Sequence, residues 1–95
     1  MRMRVGELNK NGWLETVSCG SGMEREITGV YCCDLLSIAM GRAPAGCVWV
    51  TVMGNMNTLA VAALTDAACI ILAEGVSLDE AAAKKAALQD ITVFR

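Results

Sequence analysis

From residue 27 onward, short β-prone apolar runs alternate with segments in which apolar residues recur at helical spacing. Strands that are joined through a helix run parallel, and the crossover between them is right-handed. This order predicts an α/β fold, a three-layer or partly open, mostly parallel sheet of about five strands with helices on its faces. The predicted strands are residues 27–33, 47–52, 68–72 and 91–94, preceded by a weaker strand at 13–18.

Three helices are predicted in the connections between these strands. Asp34 is expected to cap a short helix that ends at Gly41. A second helix, over residues 56–64, is apolar nearly all round and is expected to be buried on more than one side. Ser77 opens the capping-box pattern of a third helix, which extends through Leu88. The face of this third helix that is predicted to pack on the sheet consists of Leu78, Ala81, Ala82, Ala86 and Leu88.

Length and composition indicate a single domain over residues 1–95, because no composition break divides the chain into two cores. Hydrophobic residues make up 55% of the sequence. That share is high for a small domain, which has proportionally more surface to cover with polar groups. Part of the apolar surface is therefore expected to form an interface, and the stability of the chain is expected to depend in part on a partner subunit.

Charge and hydropathy exclude several classes of partner. The net charge is −2, whereas binding to a nucleic-acid backbone requires a clustered basic surface. Neither nucleic acid nor a membrane is therefore expected as a partner. The longest apolar stretch, residues 58–72, is too short to span a bilayer as one helix. The first residues lack the apolar core of a signal peptide, which predicts a cytoplasmic protein.

Catalytic motifs are missing from the sequence. It contains no histidine, no phosphate-binding loop, no Rossmann glycine pattern and no nucleophile elbow, so no enzyme activity and no cofactor are predicted. The five cysteines have irregular spacing and are expected to be free thiols that pack as small hydrophobic side chains, with no metal site. Two alternatives stay open, an acid–base carboxylate at Asp34 or Glu74 and a thiol sensor at Cys33.

The loop at residues 53–57 is the strongest candidate for a ligand site. In open parallel sheets, ligands bind beyond the carboxyl ends of the strands. Gly54 and Asn55 allow backbone N–H groups to turn toward an anionic ligand at the start of the next helix. The alternative is an ordinary turn in which Asn57 only caps that helix.

Four further residues complete the predicted site. Arg25 and Thr28, close to the start of the strand at 27–33, are candidates to clamp a phosphate group. The alternative for Arg25 is a solvated residue at the edge of the sheet. Gly29 marks a bulge or a close approach of the backbone in that strand, and Asp34 is expected to be a helix cap first and a ligand contact second.

Two segments carry a resemblance to a known family. Residues 24–30 read EREITGV and keep the Arg, the Thr and the first Gly of an Asp-Arg-x-Thr-Gly-Gly motif, with two residues instead of one between the Arg and the Thr. A Tyr-x-x-Asp-Leu-Leu-Ser segment begins at Tyr31 and precedes a Trp-Val-Thr strand and an Asn-containing loop. In this combination the chain resembles the DRTGG domain family, including the non-kinase amino-terminal region of HPr kinase/phosphorylase and the DRTGG domain of CBS-containing pyrophosphatases.

The resemblance implies a regulatory domain that assembles as a homodimer, and adenine-nucleotide binding is associated with the CBS-containing members. We therefore expect a non-catalytic regulatory module that binds an adenine nucleotide or another phosphorylated small molecule at the strand-to-helix loops. The alternative is a structural interaction domain that docks on a metabolic or redox enzyme.

Overall fold

The computed structural model describes residues 3–10 and 12–95, and its central element is a five-stranded sheet. The strands are β1 (Thr16–Ser18), β2 (Gly29–Cys32), β3 (Cys47–Thr51), β4 (Cys69–Leu72) and β5 (Val93–Phe94). The helices are α1 (Leu36–Arg42), α2 (Met56–Thr65) and α3 (Glu80–Leu88). Two short 3-10 turns, Val5–Glu7 and Gly22–Glu24, lie in the N-terminal segment.

The strands lie in the order β1-β5-β4-β3-β2. Strands β2 to β5 are parallel, and β1 pairs antiparallel with β5. The predicted α/β class with a mostly parallel sheet of five strands is therefore confirmed. β3 lies between β2 and β4, which explains its continuous apolar sequence, because a parallel strand is covered on both faces.

All three α-helices share one face of the sheet. The chain steps across the sheet in one direction from β2 to β5, and right-handed crossovers in one direction place every helix on the same side. Trp49 and Ile70 of the sheet accordingly share a buried cluster with Leu59 of α2 and with Ala82 and Ala86 of α3.

The opposite face of the sheet is covered by the N-terminal segment. Val5 and Ile27 are buried there against Val48, Cys69 and Phe94. This segment contributes 3-10 turns and extended chain to the layer. It packs on β3, β4 and β5, so the sheet side chains at the β2 end of this face remain more exposed.

Two predicted helix caps are wrong. The residue before α1 is Leu35, whose side chain makes no capping bond, while the Asp34 carboxylate turns to the end of β3. Asp79 caps α3 by accepting a hydrogen bond from the Ala82 N–H at 2.7 Å. Ser77 cannot do this, because it lies three residues before the first helical residue and a cap must directly precede the helix.

The apolar face of α3 is narrower than predicted, whereas α2 is buried on more than one side, as predicted. Ala82 and Ala86 are buried, whereas Ala81 is exposed and Leu88 is 82% exposed. Residues four apart form one stripe on a helix, and Ala81 and Leu88 lie about 100° or more away from the stripe of Ala82 and Ala86. On α2, Leu64 is 74% exposed, because α1, α3 and the sheet cover the other sides of this helix and leave one side open.

Candidate functional site

The structure divides the predicted site residues between two opposite ends of the sheet. Because strands β2 to β5 are parallel, their carboxyl ends lie along one edge and their amino ends along the other. The residues at the carboxyl edge are Asp34, Gly54, Asn55 and Asn57. The residues at the amino end of β2 are Arg25, Thr28 and Gly29. The seven residues therefore do not converge on one site.

Asp34 joins the ends of β2 and β3 at the carboxyl edge. One oxygen, Oδ1, accepts hydrogen bonds from the Val52 N–H at 2.9 Å and from the Thr51 hydroxyl at 2.7 Å. These bonds stabilise the charged form, the backbone bond from Val52 most strongly, and they hold the pKa of Asp34 below its usual range. Asp34 is therefore an ionised carboxylate that ties two strands together.

The loop between β3 and α2 has the turn geometry that its sequence predicts. Asn55 caps α2, and its side chain accepts a hydrogen bond from the Thr58 N–H at 3.0 Å. The alternative prediction, that Asn57 caps α2, is wrong. The Asn57 side chain is exposed at the carboxyl edge. No acidic residue lies in the first turn of α2, so the N–H groups that the cap leaves unpaired face no fixed negative charge in that turn.

Gly54 is required by a close approach between two loops. A Cβ atom at this position would lie 2.2 Å from the carbonyl oxygen of Ser77, far inside van der Waals contact. The Asp79 N–H also donates to the Gly54 carbonyl at 3.0 Å. Gly54 therefore packs the β3–α2 loop against the segment that leads into α3.

Sequence reasoning missed an ionic cluster at the same edge. The Arg95 guanidinium donates to Glu15 Oε2 at 2.7 Å and to the Ser77 hydroxyl. Glu15 and Arg95 are also joined by two backbone hydrogen bonds. No local pattern signals this contact, because it depends on the antiparallel pairing of the first strand with the last.

At the amino end of β2, the predicted phosphate-clamping residues bind protein groups. The Arg25 guanidinium donates to both carboxylate oxygens and to the carbonyl of Asp66, each at 2.9 Å. The Thr28 hydroxyl donates to the Ala45 carbonyl at 2.8 Å. Gly29 begins β2 in regular parallel register with Cys47 of β3, so the strand contains no bulge at this point.

A cavity of about 380 Å³ opens at the amino edge beside Arg25. Asp66 and Asp90 lie in its wall, each with positive φ just after a helix ends. Ser21 donates hydrogen bonds to Asp90 from its backbone N–H and its hydroxyl. Two carboxylates and two helix C-termini surround a single guanidinium, so the charge of this cavity disfavours a phosphate group.

The Arg25–Asp66 pair makes the stability of the fold depend on pH. Hydrogen bonds from Arg25 hold the pKa of Asp66 below its ordinary value of 3.8. A depressed folded-state pKa stabilises the fold above pH 3.8, and this stabilisation is lost as the pH falls through the folded-state value. We expect Asp66→Asn to be less stable than the wild type at pH 7 and to approach it at acid pH, measured by urea denaturation.

The matched control for Asp66→Asn is Glu80→Gln. Glu80 forms an exposed ion pair with Lys84 at 3.6 Å along α3. Exposed pairs of this kind contribute little to the free energy of unfolding. Asparagine tolerates the left-handed backbone of Asp66, so backbone strain does not confuse the comparison. A stability loss in Asp66→Asn that is equal at pH 7 and at acid pH would contradict the assignment.

The cysteines divide into buried and exposed groups. Cys47 and Cys69 are buried free thiols, as predicted, and burial raises the pKa of Cys69 to about 12. Cys19 and Cys32 are exposed, so the prediction that they pack as small hydrophobic side chains is wrong. Within the described ranges, no three His, Cys, Asp or Glu side chains are grouped so that they could hold a metal ion.

Comparisons with known proteins add no relative. No protein-family model, no curated protein and no solved structure matches this chain. The resemblance to the DRTGG family therefore stays a prediction from the residues that carry it. In residues 3–10 and 12–95, none of the helices combines the length and the apolar character needed to cross a bilayer.

Proposed function

We propose that this chain is a non-catalytic regulatory module that acts as a homodimer. The observation that carries the proposal is an apolar surface, here named the β2 flank. It is formed by the outer edge of β2 and by five exposed apolar side chains on β2, on α1 and beside them. These side chains are Val30, Leu35, Ile38, Met40 and Val52.

Half of the large exposed apolar side chains of the described residues belong to the β2 flank. It contains five of the ten large exposed hydrophobic residues found in residues 3–10 and 12–95. Scattered exposed apolar residues are normal, but Val30 lies on one face of the sheet and α1 on the other, so exposed apolar side chains flank the β2 edge on both faces. A twofold dimer can cover the same patch on both subunits at once.

The polar groups of the chain support binding rather than catalysis. Asp34 is held at the end of β3 through its Oδ1 atom, and Asp66 is bound to Arg25 through both oxygens, so structural contacts fix the position of both carboxylates. An acid or base in catalysis needs a positioned group that is free to exchange a proton with a substrate. The free cysteines fit a reducing compartment, and we include a cytoplasmic location in the proposal.

Analytical ultracentrifugation over a range of protein concentrations tests the homodimer. We expect a species of twice the monomer mass of 10.0 kDa. A monomer at every concentration would refute the homodimer. The remaining explanation of the β2 flank would then be the alternative function, docking on a larger metabolic or redox enzyme.

A second candidate function is the binding of an adenine nucleotide or another phosphorylated small molecule at the loop of residues 53–57. The observation that favours it is the first turn of α2, which carries no acidic residue and presents Asn57 to solvent. Backbone N–H groups at a helix start bind phosphate groups through hydrogen bonds and the helix dipole.

Thermal-shift measurements with ATP, AMP and inorganic phosphate test this second candidate. A ligand at a hundredfold excess over its dissociation constant stabilises the fold by about 2.7 kcal/mol. Asn57→Asp should abolish the shift, because it places a negative charge at the proposed phosphate position. An acidic residue in the first turn is favourable for a helix, so a lost shift would not reflect unfolding. An unchanged shift in this variant would place the ligand elsewhere.

A further inference from the structure

The two edges of the sheet differ in how well they are protected. β1 contains three residues, is irregular between Thr16 and Ser18, and binds the Asn9 side chain through the Thr16 hydroxyl at 2.6 Å. β2 is regular over its four residues, pairs with β3 alone in the described part of the chain, and reads GVYC without a charge or a proline. Short, irregular or charged edges resist pairing with another strand. The β2 edge lacks the last two of these protections.

The N-terminal segment limits how far the open edge extends toward the residues that precede β2. Just before β2 in the chain, the Ile27 N–H donates to the Met3 carbonyl at 2.7 Å, and Arg4 forms an antiparallel bridge with Glu26. The N-terminal segment therefore occupies the chain that precedes β2. Among the described residues, the stretch of this edge without a second partner is Gly29–Cys32.

Two opposite charges lie at the two ends of this flank. Asp34 follows β2 at the carboxyl edge, and its Oδ2 atom has no hydrogen bond within the described part of the chain, since both bonds go to Oδ1. Arg42 ends α1 at the opposite edge, because α1 returns the chain to the start of β3. Among the described residues, Arg42 forms no ion pair.

The positions of Asp34 and Arg42 distinguish a parallel from an antiparallel pairing of the β2 strands of two copies. A parallel pairing would bring Arg42 beside Arg42 and Asp34 beside Asp34. An antiparallel pairing about a twofold axis brings Arg42 of each copy beside Asp34 of the other, so the same attraction occurs twice. The flank is thus complementary to itself in charge, which favours a second copy of this chain over an unrelated partner.

We propose that two copies of this chain pair edge to edge, with β2 of one copy antiparallel to β2 of the other and with Arg42 of each copy beside Asp34 of the other. The proposal rests on the homodimer proposed above and names its interface. The two sheets then form one continuous sheet across the twofold axis. Val30 of both copies becomes covered at its centre.

The first test is Val30→Lys, examined by ultracentrifugation at the concentrations at which the wild type is a dimer. Val30 is 62% exposed in the single chain, so lysine is accommodated without unfolding, and far-UV circular dichroism verifies the fold. A lysine at the centre of a strand-to-strand interface prevents pairing, and we expect a monomer. Leu88→Lys is the matched control on α3, and it should remain a dimer.

The outcomes separate this inference from the proposed function. If the wild type is a monomer, the homodimer itself is refuted. If the wild type is a dimer and Val30→Lys is also a dimer, the homodimer stands and the β2 interface is refuted. If Leu88→Lys dissociates as readily as Val30→Lys, the interface does not lie specifically at β2, and the inference is refuted as well.

Arg42→Glu tests the antiparallel arrangement. It turns two attractions with Asp34 into two repulsions, and we expect the dissociation constant of the dimer to rise at least about tenfold at low salt. The increase should shrink at high salt, because exposed charges are screened. Lys84→Glu reverses a charge on α3 and should leave the constant unchanged. An unaltered constant in Arg42→Glu would overturn the antiparallel pairing.

Discussion

Replacement of Trp49 by alanine is expected to lower the free energy of unfolding by about 3–5 kcal/mol. Trp49 is fully buried in β3 and packs in the cluster between the sheet and the helices. Its removal leaves a large cavity that the surrounding strands cannot close. Small domains have a total stability of about 5–15 kcal/mol, so the variant should be partly unfolded at physiological temperature, as measured by urea denaturation with circular dichroism.

The Trp49 side chain also makes a hydrogen bond that can be tested separately. Its indole N–H donates to the Cys33 carbonyl at 2.9 Å, which ties β3 to the end of β2. Trp49→Phe retains most of the apolar volume but leaves that carbonyl without this partner, and we expect a loss of about 1–3 kcal/mol. Trp49→Ala should lower the free energy of unfolding more than Trp49→Phe does.

Trp13 provides the matched control for both substitutions. It is 85% exposed, and substitutions at exposed positions usually change stability by no more than about 0.5 kcal/mol. Equal losses in Trp13→Ala and Trp49→Ala would show that Trp49 does not hold the central position described for it.

Substitution of Gly54 by alanine is expected to destabilise the fold by at least about 1–3 kcal/mol, the usual cost of overpacking. The cost arises because the added Cβ would meet a backbone atom, the carbonyl oxygen of Ser77, at 2.2 Å. A backbone segment cannot move aside as a flexible side chain can. Separating the two loops to relieve this clash should also weaken the hydrogen bond from the Asp79 N–H to the Gly54 carbonyl. Urea denaturation measures the loss.

Gly41→Ala is the control for Gly54→Ala and should have the opposite effect. Gly41 lies in α1, and no atom beyond its own helix lies within 4 Å of the added Cβ. Alanine is favoured over glycine inside a helix by about 0.5–1 kcal/mol. If Gly54→Ala is as stable as the wild type, the two loops can separate without cost, and the close approach is not a structural requirement.

The packing of Gly54 determines how the ligand loop can be probed. A variant at Gly54 would disturb the segment around Ser77 whether or not a ligand binds, so a lost thermal shift would be ambiguous. Asn57 is exposed and makes no capping bond. A charge at Asn57 therefore acts on a ligand while leaving both loops in place.

The site residues show where local patterns cease to be informative. The turn at Gly54 and Asn55 was predictable, because the residues of a strand-to-helix turn are neighbours in the sequence. The partner of Arg25 was not, because Asp66 is 41 positions away and becomes its neighbour only when β2 and β4 join the same sheet. The same reason separates Arg25 and Thr28 from Gly54, although all three were placed in one predicted site.

The sequence by itself determined the α/β class and the order of strands and helices, because apolar periodicity and β-propensity act between residues close along the chain. The tertiary structure alone decided that all three helices share one face, that the N-terminal segment covers the other, and that β2 is an edge strand paired with β3 alone among residues 3–10 and 12–95. These outcomes depend on the direction in which the chain crosses the sheet, and that direction follows from the packing of whole elements rather than from any local pattern.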